Sequence, residues 1–214
     1  MKLPREIPVM VLPSATLFPQ AMLPLYIFEP RYRQMLAEAL ASTRMFSVAM
    51  QRPGSTRETP SPIAGLGLIR VSVGHRDGTS HLILQGVARV ELKEIVRYKP
   101  YRIQRIKPLP TPPCDNVRVD ALLAKLRELL QERVELGLPF PLPTATPGKP
   151  KEILRYLNSI ADPARTADLV SCAVLPGAAD RQTILETVDV EARLRCLIYF
   201  LLAEIRNKRK EDAL

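Results

Sequence analysis

The sequence has no tryptophan, only two histidines and three cysteines in 214 residues, and each shortage narrows the chemistry open to it. Cys114, Cys172 and Cys196 are odd in number and far apart, with no CxxC and no Cys/His group of metal-ligand spacing. Neither a disulfide framework nor a structural zinc site is expected; thiols packed as small hydrophobes are. His75 and His81 have one carboxylate near them, Asp77, which makes a poor metal site and an ordinary hairpin. No apolar run approaches the roughly 18 to 20 residues of a membrane helix, and no basic region followed by a long apolar stretch opens the chain. A soluble, cytoplasmic protein with no membrane partner is expected. Also missing are GxxxxGK followed by Ser or Thr, the GxSxG elbow and the HExxH helix. The single GxG, Gly65-Leu66-Gly67, lies in a strand-like run with no third glycine three residues on, which argues against a dinucleotide site. The expectation is no catalytic residue, no cofactor and no metal.

What is present is 46% hydrophobic residues, enough for a core, and 21 prolines, whose clusters mark connectors. The net charge of +9 is unevenly placed. Residues 1–113 hold 16 Lys and Arg against 7 Asp and Glu, and residues 114–214 hold 15 against 15, which together make the chain's 31 and 22. A basic first half suits phosphate or an acidic partner, or simply a solvated face. No aromatic is interleaved with the arginines in a recognisable RNA-binding motif.

Periodicity divides the chain the same way. Ile7–Leu12 and Met22–Phe28 read as strands on either side of a loop, and Glu29-Pro30 reads as a helix start, with proline at the first helical position and Glu29 as a cap. After it, Tyr32, Met35, Leu36, Ala39 and Leu40 form one stripe, while Arg31 and Arg33 fall off it as solvated residues. Met45–Met50 is strand-length. Gly65–Val73 and His81–Leu84 flank Asp77-Gly78, the signal of a type I′ hairpin; Gly86 interrupts, and Val87–Val96 and Tyr101–Ile106 follow as strands. Residues 1–110 are thus a β subdomain with one early helix. Pro108 to Pro113 form a stiff connector, and residues 111–214 turn helical. A helix capped at Asp115 or Asn116 has Val119, Leu122, Leu123, Leu126, Leu129, Leu130 and Val134 on one face, leaving Glu132 and Glu135 wet. The segment 138–150, with five prolines, is a loop in which Phe140 and Leu142 need a surface to rest on. Helices are expected over 151–160, 163–175 and 180–187. A long last helix starts at Asp189, with a stripe of Leu194, Leu197, Ile198, Leu201, Leu202 and Ile205 and with Lys208, Arg209 and Lys210 at its end. The fold class is α+β.

VLPSATLFPQAMLPLYIFEPRYRQML, GLGLIR and DGTSHLILQGVARVEL resemble the N-terminal substrate-binding domain of ATP-dependent Lon proteases, especially small stand-alone bacterial forms. ADPARTADLVSCAVLPGAADRQTILETVDVEARLRCL is similar to the helical part of the same region. The resemblance spans nearly the whole chain and is weakest at 138–150. It implies a PUA-like N-terminal β-barrel, a C-terminal helical bundle, and recognition of unfolded or tagged polypeptides, with a separate protease or chaperone as partner. The nucleotide-binding loop and Ser-Lys peptidase pair of Lon are expected to be absent, leaving a recognition or adaptor module and not an enzyme. Tyr98, Tyr101, Arg102 and Phe140 are expected to border a polypeptide-binding cleft between the two halves. The alternative is RNA binding through the basic PUA-like half, an analogy of fold that steep weakening in salt would mark. Oligomeric state is not legible.

Overall fold

A computed structural model describes residues 3–55, 57–114, 116–141 and 149–212, which fall into two compact units, Met1–Pro110 and Thr111–Leu214. In the first unit, β1 (Glu6–Leu12), β2 (Met22–Ile27), β3 (Met45–Met50), β4 (Ile63–Gly74), β5 (Ser80–Arg97) and β6 (Arg102–Pro108) make one mixed sheet ordered β2-β5-β4-β3-β1-β6. The β1–β3 pair is parallel and the others are antiparallel. Because β6 also pairs with the later part of β5, five strands close into a ring and β2 stays outside it, bonded to the start of β5.

Alternation along the strands builds two core clusters. Ile7, Val9 and Val11 of β1 pack with Met45, Ala49, Ala64, Leu66, Val90, Leu92 and Ile106. Met10, Phe46 and Val48, from the opposite face of the same strands, pack with Ile69, Leu82, Leu84 and the helix α1 (Pro30–Leu40). Its Tyr32, Met35, Leu36 and Ala39 are buried, following the apolar stripe. All six residues of β3 are buried, which is why MFSVAM carries no polar alternation.

Three local expectations are corrected. Glu29 occupies the N-cap position of α1 but makes no cap bond; its carboxylate is taken by Arg31 instead, at 2.7 and 2.9 Å. The Asp77-Gly78 turn is not type I′, since only Gly78 has positive φ (81°). Gly78 N–H donates to His75 O at 3.0 Å and His75 N–H to Thr79 O at 2.8 Å, a three-residue loop whose last residue is a left-handed glycine. Asp77 Oδ1 completes it by accepting from Thr79 N–H and Oγ1–H. Finally, Gly86 does not interrupt β5. It is the point at which the 17–18 segment crosses: a Cβ there would lie 1.9 Å from Phe18 O, and one at Gly65 would lie 1.9 Å from Leu17 O. These glycines are notches for passing main chain, which accounts for the GLG run without a nucleotide.

In the second unit, α6 (Val190–Glu211) packs on α2 (Asn116–Glu135), α4 (Pro163–Val174) and α5 (Ala178–Glu186), and α3 (Pro150–Asn158) packs on α2 and α4. Asp162 and Asp189 accept from the backbone N–H of the third residue of α4 and α6, Arg165 and Ala192, at 3.0 and 2.8 Å. α2 ends where Gly137, at φ 68°, lets Leu138 N–H reach Arg133 O at 3.1 Å and its own N–H reach Val134 O. Asp115 and Leu142 lie outside the described residues, so the cap and part of the proline loop are not placed. Among the described residues no helix is long and apolar enough to cross a membrane. Of the expected α6 stripe, Leu202 is exposed, while Arg193 takes a buried place. Its guanidinium bonds Asp168 at 2.8 Å and donates to the carbonyls of Thr187 and Val188, tying the α5–α6 connection to α4.

Two stability outcomes follow. Gly86→Ala should lower stability by about 3 kcal/mol through overpacking, whereas Gly74→Ala, whose Cβ meets only Ser80 Oγ at 3.9 Å, should stay close to wild type. Urea unfolding compares them, and equal midpoints would refute the crossing. Asp168→Ala, which strands the Arg193 charge, should cost about 3 to 5 kcal/mol in the same assay.

Candidate functional site

β2, the first part of β5 and the end of β4 form a three-stranded sheet in which Tyr26 faces His81, Pro24 faces Ile83, and Val71 and Val73 face Ile83 and His81 from the other side. On one face of these strands, Ile27, Leu82 and Leu84 enter the core and Leu23 and Leu25 pack against it. On the other, Met22, Tyr26, Val71, Val73 and Ile83 remain exposed, with Phe28 just beyond, stacked on Tyr26 at 5.8 Å. Tyr26 is 48% exposed, Val73 53% and Phe28 59%. Single exposed apolar residues are ordinary; a contiguous group of six is not. Pro24, Tyr26, Val71, Val73, His81 and Ile83 line a shallow depression of about 440 Å³ on it.

The rim is polar at both ends. Arg70, displaced at a register shift between Ile69 and Val71, folds back so that its Nε donates to Gln85 Oε1 at 2.5 Å. At the hairpin end His75 Nε2 and His81 Nδ1 share a hydrogen bond of 2.7 Å, and the Tyr26 ring lies 4.7 Å from that of His81. The Thr79 donors hold the Asp77 carboxyl below the ordinary range. The Arg33 guanidinium lies against Gly78. Among the described residues no group of three or more His, Cys, Asp or Glu is arranged to hold a metal.

Of the residues singled out in the sequence, Tyr98, Tyr101 and Arg102 come together around a second cavity of about 190 Å³, with Arg31, Tyr32, Glu58 and Pro100. Tyr101 is buried and donates its hydroxyl to Glu38, whose carboxyl is lowered mainly by that bond. Tyr98 is exposed under the Arg102 guanidinium, 4.8 Å from the ring centre, and Arg102 also donates to Glu58 O at 2.9 Å. Arg31 is not merely solvated: Glu58 holds it at 2.5 and 2.6 Å, as Glu29 does from the other side. This pairing raises the guanidinium above its ordinary value and holds the Glu58 carboxyl below its own. Burial raises Tyr32, whose hydroxyl donates to Val11 O at 3.3 Å. Carboxylates so held are weak bases and stay ionised, so the cavity is equipped to orient a polar group more than to move a proton. Phe140 belongs to the helical unit, where the guanidinium of buried Arg133 lies 5.3 Å from its ring centre and donates to Pro139 O at 2.6 Å.

Sequence reasoning missed the apolar face. Its signal is in the strings MLPLYIF and HLIL, which are apolar at consecutive positions, as in strands covered on both faces. Here, among the described residues, only one face is covered.

The family model for the ATP-dependent protease La (LON) substrate-binding domain matches residues 6–203. The chain belongs to this family. Lon protease of Dictyoglomus thermophilum is 25% identical over 218 residues, covering 98% of this chain and 26% of that protein. Lon protease of Syntrophus aciditrophicus is 28% identical over 209 residues, covering 91% and 24%. The chain therefore spans about a quarter of the length of the curated relatives it matches. The same fold occurs in the N-terminal domain of Mycobacterium avium complex Lon protease, with TM-score 0.70 at 19% identity over 92% of this chain and 97% of that one. A Lon N-terminal domain protein from Xanthomonas campestris aligns with TM-score 0.60 at 17% identity over 91% and 97%.

The Arg31–Glu58 pair gives a pH dependence of defined sign. A carboxylate depressed in the folded state contributes stability above its unfolded value of about 4.3, and that contribution fades as pH falls through the folded value. Wild type should lose melting temperature between about pH 5 and pH 3 more steeply than Glu58→Gln. Superimposable acid limbs in thermal melts would remove the pair from the account.

Proposed function

We propose that this Lon substrate-binding domain recognises unfolded or tagged polypeptides without catalysing a reaction on them, and that the exposed apolar face of β2, β4 and β5 is where it does so. The observation that carries this reading is the contiguous group Met22, Tyr26, Phe28, Val71, Val73 and Ile83, left in water by a sheet whose reverse side is core. Burying apolar area contributes roughly 25 cal/mol per Å², so half-exposed side chains of this size supply a driving force that is indifferent to exact sequence. Such indifference suits a module that must accept many unfolded chains, and its partners would include a protease or chaperone that takes the bound chain onward. The ring closed by β5–β6 pairing supports reading the first unit as a PUA-like barrel, and the packing of α6 on α2, α4 and α5 supports reading the second as a bundle. Tyr98 and Arg102, with Tyr101 as the floor beneath them, are proposed as a secondary contact for a polar or aromatic side chain.

The basic character of the first unit is partly committed internally: Arg31 pairs with Glu29 and Glu58, Lys93 with Glu91, and Arg105 with Glu6 and Glu94. This favours polypeptide over RNA as the ligand of the apolar face. Binding of a carboxymethylated, permanently unfolded model polypeptide should weaken at least tenfold, about 1.4 kcal/mol, in Tyr26→Asp and in Val73→Asp. It should vary little from 50 to 500 mM salt, because apolar contacts are not screened. Wild-type affinity in both variants, or a steep fall with salt, would refute the reading.

A further inference from the structure

We propose that the polypeptide is taken up as an added β-strand along the free edge of β2, with alternate side chains resting on the apolar face. This deepens the polypeptide-recognition reading and rests on it. β2 pairs with β5, and among the described residues no strand lies on its other side. The phase of the ladder decides which main-chain groups point outward. Gly86 N–H donates to Ala21 O at 2.9 Å and Gly86 O accepts from Gln20 N–H at 2.8 Å, one step before the register Met22↔Gln85 begins. Position 21 is therefore a hydrogen-bonding position, and strict alternation places Leu23, Leu25 and Ile27 on β5 while the backbone groups of Met22, Pro24 and Tyr26 face away. Pro24 checks this independently: a residue without an N–H fits a position that owes β5 no donor.

The outward edge therefore offers two donors, from Met22 and Tyr26, and three acceptors, from Met22, Pro24 and Tyr26. The side chains of these three residues stand on the apolar face, so one extended chain meets both features at once. A folded partner has its main-chain groups already paired; an unfolded chain brings them free. The other border of the face, the end of β4, is distorted by the register shift at Arg70, a device that discourages pairing. The occupant is an extended segment whose apolar side chains alternate with polar ones.

The probe is a fluorescein-labelled peptide of alternating valine and threonine flanked by glutamates, read by fluorescence anisotropy with the full chain. In an antiparallel arrangement the valines lie on the apolar face and their N–H groups meet β2, so N-methylating the valines should weaken binding at least tenfold and N-methylating the threonines should not. The reverse result assigns a parallel strand and equally supports the proposal. Pro24→Ala adds an outward donor and should tighten binding about threefold or more, while Met22→Pro removes one and should weaken it about tenfold with an unchanged melting temperature. Equal binding of both N-methylated peptides, together with loss in Tyr26→Asp, would overturn strand addition and leave the apolar face standing. No binding by any peptide would overturn both, and so would self-association of the chain through β2 in place of peptide binding.

Discussion

The passage of Leu17 and Phe18 over Gly65, Gly67 and Gly86 is the constraint on which the first unit depends. Main-chain oxygens sit where Cβ atoms would otherwise be, at 1.9 Å from the ideal positions on Gly65 and Gly86. The crossing brings Gln20 and Ala21 within bonding range of Gly86, and that bond sets the phase with which β2 runs along β5. The phase in turn decides which side chains of β2 enter the core and which stand in water. Moving the pairing by one residue would bury Tyr26 and expose Ile27, because strand side chains alternate with period two. A packing detail of three glycines thus governs the composition of the candidate surface.

The elements were legible where local chemistry and tertiary packing agree. Pro30 and the Tyr32, Met35, Leu36, Ala39 stripe marked α1, and the order of strands followed from apolar runs and turn residues. They were misread where a distant group intervenes. Glu29 looks like a cap until Glu58, far along the chain, joins it on the Arg31 guanidinium. Gly86 looks like a strand break until the crossing segment is in place. Arg193 and Arg133 carry no mark of burial in the sequence at all, since an arginine on a helix reads as solvated unless its partners are known. Carbonyls five and six residues away take part of each guanidinium, but the carboxylates that pair them, Asp168 and Glu204, are not sequence neighbours.

The site was less legible than the fold for a related reason. Aromatic and basic residues near the end of the β half drew attention to Tyr98, Tyr101 and Arg102, and they do share a cavity, but Tyr101 is spent on the core and on Glu38. The apolar face offers no motif, because what distinguishes it is that, among the described residues, no layer covers it. Sequence reports that both sides of β2 and β5 are apolar; only the sheet order, with β2 outside the ring, says that one side stays open.

An exposed apolar edge strand is also a hazard, and the same residues show how it is contained. Pro24 removes a donor from the middle of the edge, a register shift at Arg70 distorts the end of β4, and a basic unit repels its own copies at long range. None of these devices abolishes the edge: two donors and three acceptors of β2 still face outward, beside Tyr26 and Met22. A surface meant only to be soluble could carry charged side chains at those positions, since neither Tyr26 nor Met22 belongs to the buried cluster beneath. Apolar side chains beside a trimmed edge fit the proposed strand addition, in which the face takes up extended chains but is discouraged from pairing with itself.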